Sequence, residues 1–107
     1  MRVIAITEDG ITFDDGTEVK HYHCQDCCEN VYADWNALKD SGILDKELNK
    51  VEIEGIKDSG IRINKHFVPC YNSQNGYYSS ALEIHITHPG EGVAQIDISE
   101  FVKDGIN

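Results

Sequence analysis

Positive charge is what this sequence has least of. Nine Lys and Arg stand against nineteen Asp and Glu, for a net charge of −10 over 107 residues. Nucleic-acid phosphates are held by cations that displace counterions, so direct DNA or RNA binding is not expected. Proline is also scarce, at two residues, and no low-complexity run is present, which argues against a disordered chain. No apolar stretch approaches the length of a membrane span. Met1-Arg2 leads straight into Val3-Ile4-Ala5-Ile6, too short for the apolar region of a secretory signal. The expected compartment is therefore the cytoplasm, where thiols stay reduced. The four cysteines are then free thiols or ligands rather than a disulfide framework.

The acidity is uneven. Residues 1–60 carry fourteen acids and six bases, a net of −8, while residues 61–107 carry a net of −2. Solubility alone explains part of such a charge. The concentration in one half also suits attraction to a basic protein surface. The partner expected on these grounds is a basic protein, with no nucleic acid, no membrane, and a monomer or weak homodimer in solution.

The length fits one domain, residues 1–107. Arg2–Thr7 reads as a strand apolar on both faces, hence a central one. Glu8-Asp9-Gly10 and Asp14-Asp15-Gly16 are turns, so Ile11–Phe13 and Thr17–His23 complete a β-meander. Asp34 fits an N-cap for a helix over Trp35–Asp40, with Trp35 and Leu38 inward and Gly42 at the C′ position. Asp45–Leu48 reads as a further helical turn. Strands are expected over Val51–Glu54, with Gly55 as a bulge, and over Ile61–Asn64, which Phe67–Tyr71 would extend as an edge around Pro69. Leu82–Ile86 and Ala94–Ile98 alternate as half-exposed strands, and Ser99 caps a helix ending at Gly105. The expected class is α+β: a mostly antiparallel sheet of six to eight strands with one or two short helices.

His21, His23, Cys24, Cys27 and Cys28 fall close together, and His66 and Cys70 follow much later. Cys24, Cys27, His66 and Cys70 make a Cys3His set that a tetrahedral zinc would accept. Against this, Cys70 also suits a small core side chain. A redox C-x-x-C needs a helix start within a βαβ unit, which the preceding hairpins do not offer. A nucleophilic Cys27 or Cys28 would need His21, His23 or His66 as base and Asp26 or Glu29 to orient it. An enzyme or ligand-holding site on His23, Asp26, Cys27 and Glu29 is the corresponding alternative. Gln25–Glu29 can equally be structural, its side chains satisfying backbone groups. Downstream, Asn75-Gly76 is a type I′ hairpin signal; Tyr77 then faces outward as an anchor, and Tyr78 inward.

At two places, His23-Cys24-Gln25-Asp26-Cys27-Cys28-Glu29 and Asn75-Gly76-Tyr77-Tyr78-Ser79, the sequence resembles an uncharacterised family of small phage and prophage proteins. The resemblance implies a bacterial host cytoplasm, and it carries no activity with it. Small acidic phage proteins are frequently inhibitors of host defence, including anti-CRISPR proteins that occupy basic nucleic-acid sites. The expectation is thus a non-catalytic inhibitor. Asp14, Asp15, Glu18, Asp26 and Glu29 would supply the field, with Tyr32, Trp35 and Tyr77 as anchors. No cofactor is required, and zinc is the one alternative.

Overall fold

Turn residues organise the first third of the chain. In the computed structural model, which describes residues 1–22, 31–44, 46–72 and 82–104, β1 (Val3–Ile6), β2 (Gly10–Phe13) and β3 (Glu18–Tyr22) form the expected antiparallel meander. Thr7 builds the first turn: its N–H donates to the Gly10 carbonyl at 2.8 Å and its Oγ1 accepts the Asp9 N–H at 3.2 Å. The second turn closes with the Gly16 N–H on the Phe13 carbonyl at 3.1 Å.

β3 then pairs with β8 (Glu83–His88), and β8 with β9 (Gly92–Asp97), so the first sheet runs β1-β2-β3-β8-β9, antiparallel throughout. The second sheet contains β5 (Ile53–Ile56), β6 (Gly60–Ile63) and β7 (His66–Asn72). Onto β7 pack the antiparallel β4 (Val31–Ala33) and the parallel β10 (Lys103–Asp104). One hydrophobic core serves both sheets, including Val19 and Ile84 from the first and Ile61 and Val68 from the second, all fully buried. A 3-10 helix over Trp35–Asp40 packs against β7 and β1 and so ties the sheets together. Among the described residues no helix is long and apolar enough to cross a membrane.

Several expectations need correction. The class is mostly antiparallel β rather than α+β, because both helical segments of the described residues are 3-10 turns, Trp35–Asp40 and Ser99–Phe101. Six residues bounded by Asp34 and Gly42 are too few to repay α-helix nucleation. The segment after Ser99 leaves its 3-10 turn at Val102 and becomes β10. β1 is an edge strand, not a central one; its outward Ile4 is 54% exposed. Asp45–Leu48 forms no helical turn in its described residues. Leu44 and Glu47 instead bridge to Val3 and Arg2 along that edge. Gly55 marks no bulge: it pairs in register with Ile61, and the Phe101 ring lies where its side chain would be. His66–Asn72 does not extend β6 but returns beside it. Asn64 and Lys65, at φ 48° and 74°, supply the two left-handed positions of a type I′ hairpin.

Cys70 is fully buried, its Sγ directed at the Val68 carbonyl, and burial pushes its thiol up to about 12 from an ordinary 9.0. The folded state therefore favours the neutral thiol. That contribution is complete below pH 9.0, where the unfolded thiol is also protonated, and is lost as pH rises toward about 12. Denaturant titrations of the wild type and Cys70→Ala should differ by a constant amount up to pH 9.0 and converge above it. A constant difference through the alkaline range would refute the burial of this thiol.

Candidate functional site

The ends of β3 and β4 and the β1–β2 turn meet at one place. They enclose a cleft of about 330 Å³ lined by Glu8, Asp9, His21, Tyr32, Ala33, Asp34, Trp35 and Asn36. Each wall has a local cause. The Thr7 turn sets Glu8 and Asp9 at the rim, and the Asp9 carbonyl accepts the His21 N–H at 3.1 Å, tying the rim to β3. Opposite, the Asp34 N–H donates to the Pro69 carbonyl at 2.8 Å, which fixes the chain as it leaves β4. Asp34 occupies the expected N-cap position, yet its side chain makes no capping bond, so the carboxylate is left to face the cleft.

The floor is aromatic. Trp35 Nε1–H donates to His21 Nδ1 at 2.7 Å. In the neutral imidazole this places the proton on Nε2. The two rings lie nearly parallel, with centroids 6.2 Å apart. Tyr32 packs against Tyr71 of β7 at 5.7 Å. Among the described residues, three of the eight that line the cleft are carboxylates and none is Lys or Arg. A group entering here meets negative charge beside aromatic rings, an environment that suits a guanidinium or ammonium.

The residues anticipated from sequence are only partly brought together. Tyr32 lines the cleft. Trp35 lines it too, but at 1% exposure it is a core residue rather than a surface anchor; the helix that carries it turns it inward between the sheets. Asp14, Asp15 and Glu18 lie beyond the other end of β2, at the β2–β3 turn, roughly 13 Å of strand away from the cleft. There they have local work. Asp14 accepts the Arg2 N–H at 2.9 Å, and Glu18 pairs with Lys20 at 3.0 Å. Asp15 accepts the Thr17 N–H at 2.9 Å, a bond that holds its carboxyl below the ordinary range. Asp26, Glu29, Tyr77, Cys24 and Cys27 lie outside the described residues, as do the rest of the Cys-rich motif and the Asn75-Gly76 turn.

Of the zinc set, only His66 and Cys70 are among the described residues. His66 and Cys70 sit on β7, where a four-residue step spans roughly 13 Å. Two donors on one zinc lie within a few ångströms of each other. On a helix that spacing would have joined them. His66 is instead near Ser41 and Lys46; burial first, then the Lys46 charge, lowers its pKa.

Sequence reasoning did not pick out Glu8, Asp9, Asp34 and Asn36 as cleft residues: Glu8 and Asp9 read as a turn, Asp34 as a cap and Asn36 as part of the helix. A family model described as Domain of unknown function (DUF7448) matches residues 2–100. No curated protein and no solved structure matches the chain.

Proposed function

The chain belongs to the DUF7448 family, and for it we propose a non-catalytic binding role: an acidic inhibitor that occupies the nucleic-acid surface of a basic protein. The observation that carries this reading is the cleft whose described lining has three carboxylates and no cationic side chain. A Lys or Arg that normally holds a phosphate would exchange it for Glu8, Asp9 and Asp34, with Tyr32 and the His21–Trp35 pair as the apolar wall. The net charge of −10 steers the encounter and adds rate more than affinity. The phage-like motifs at His23–Glu29 and Asn75–Ser79 favour a host or defence protein, of the kind anti-CRISPR proteins block, as the target in a bacterial cytoplasm.

The test is substitution of the cleft acids by their amides, Glu8→Gln, Asp9→Asn and Asp34→Asn, in one variant. Partially exposed ion pairs contribute about 0.2–1 kcal/mol each. Affinity for a basic partner captured at low salt should therefore fall on the order of 3- to 100-fold, with thermal stability nearly unchanged. Unchanged affinity in the triple variant would overturn the assignment of this cleft. Failure of duplex DNA to compete with the protein for its partner would overturn the inhibitory mode.

A further inference from the structure

The β9 edge stands apart from the rest of the surface. All six of its residues, Gly92–Asp97, are exposed, with Val93 at 54% and Ile96 at 36%, and none of the described strands pairs with its outer side. The opposite edge of the same sheet is covered, since β1 is bridged by Leu44 and Glu47. Exposed edges are ordinarily blunted by lysine, proline or a bulge. β9 contains neither residue, and its register against β8 runs unbroken from Glu83↔Asp97 to His88↔Gly92. Among the described residues, no strand takes up the outward row of backbone N–H and C=O groups on β9.

The charge around this edge specifies what that strand would be. From Leu82 to Val102 there are four carboxylates, Glu83, Glu91, Asp97 and Glu100, and no Lys or Arg. Glu83 and Asp97 stand directly opposite each other across the ladder, an arrangement that like charges oppose. His85 bonds Glu83 at 2.9 Å, and Ser99 donates to Asp97 through its N–H and Oγ. The nearest strand cation, Lys20, is held by Glu18 at 3.0 Å. The two faces of β9 also differ. Ala94 and Ile96 pair with the buried Ile86 and Ile84 and share the core face, while Val93, Gln95 and Asp97 share the face of Glu83 and His85.

We propose that β9 is a docking edge for an extended, cationic segment of a protein partner, which adds to the first sheet as a sixth strand. Its alternate residues would be Lys or Arg on the Glu83/Asp97 face and Val or Ile beside Ala94 and Ile96. Main-chain bonds would give affinity and the alternating side chains specificity. A second copy of this chain is the poorer occupant, because two hairpins of the same negative sign would face each other. The proposal rests on the basic-partner reading above and adds to it a second contact, remote from the cleft acids in sequence.

The probe is a capped peptide, Lys-Val-Lys-Val-Lys-Val-Lys, against one of the same composition with its lysines and valines in separate blocks. NMR amide shifts and hydrogen exchange are followed on the full chain at low salt. The alternating peptide should slow exchange of the outward β9 amides by about tenfold or more, and the block peptide should not. Gln95→Lys, which installs an edge lysine without touching the core, should weaken the alternating peptide about tenfold; the cleft triple variant should bind it like the wild type. Binding confined to the cleft, or equal protection by both peptides, overturns the edge assignment and leaves the basic-partner reading standing. Protection of β9 that depends on protein concentration without peptide identifies a self-paired dimer and overturns it as well. Absence of binding at either place, with either peptide, removes both readings.

Discussion

Trp35→Ala is expected to cost about 3–5 kcal/mol of folding stability, the largest effect of any single side chain in this fold. Trp35 is 1% exposed, and its helix is the piece that touches both β7 of one sheet and β1 of the other. Its removal opens a cavity where the two sheets are joined, and small domains tolerate little of that, since their whole stability is about 5–15 kcal/mol. It also removes the indole N–H that His21 Nδ1 accepts at 2.7 Å, one of the contacts that order the cleft floor. Trp35→Phe separates the two contributions. It keeps most of the ring and loses the hydrogen bond, so about 1–2 kcal/mol should go. Urea denaturation of the three proteins measures both; a loss below about 1 kcal/mol for the alanine variant would contradict the packing described.

The second large effect concerns Gly10. A Cβ there would overlap the Val19 carbonyl oxygen and lie 2.8 Å from the Lys20 Cα. Both are backbone atoms of β3, so no side chain can swing away, and β2 and β3 would have to separate. Gly10→Ala is expected at the upper end of overpacking penalties, about 3 kcal/mol. Gly42→Ala makes the informative contrast. Gly42 has open space around it but a φ of +84°, so its cost is backbone strain alone, about 1 kcal/mol. Equal thermal shifts for the two variants would contradict the close approach of β2 to β3.

Local chemistry was legible in the sequence wherever neighbours along the chain are neighbours in space. The meander follows from Glu8-Asp9-Gly10, Asp14-Asp15-Gly16 and alternation. Asp34, Trp35, Leu38 and Gly42 gave the position of the helix, with the right residues buried, but not its 3-10 character. The class was misread for the same reason, because apolar spacing over six residues does not distinguish one helical turn geometry from another. Asn64-Lys65 carries no glycine to mark a left-handed turn, and Pro69, in the middle of β7, pairs with Gly60 rather than bending the strand. The division into two sheets was not legible at all. It depends on which strand β7 and β8 choose, a long-range matter that alternation does not encode.

The same limit governed the site. Glu8 and Asp9 come from the first turn, His21 from β3, and Tyr32, Asp34 and Trp35 from the segment after the Cys-rich motif. The β2–β3 pairing joins the first three, but only the pairing of β4 with β7 in the second sheet, and the packing of that sheet on the first, sets the others beside them. Asp14, Asp15 and Glu18, chosen for their sign, lie toward the β2–β3 turn, at the other end of β2 from the cleft. His66 and Cys70 carry ligand-type side chains at a spacing that a helix draws together and a strand holds roughly 13 Å apart.

Affinity for a basic partner, measured against salt concentration for the wild type and for the Glu8→Gln, Asp9→Asn, Asp34→Asn variant, tests the acidic cleft most directly. Binding through these three carboxylates predicts that affinity falls steeply as salt screens them, and that the slope is clearly shallower in the variant. Superimposable slopes, or an affinity indifferent to salt, would contradict it.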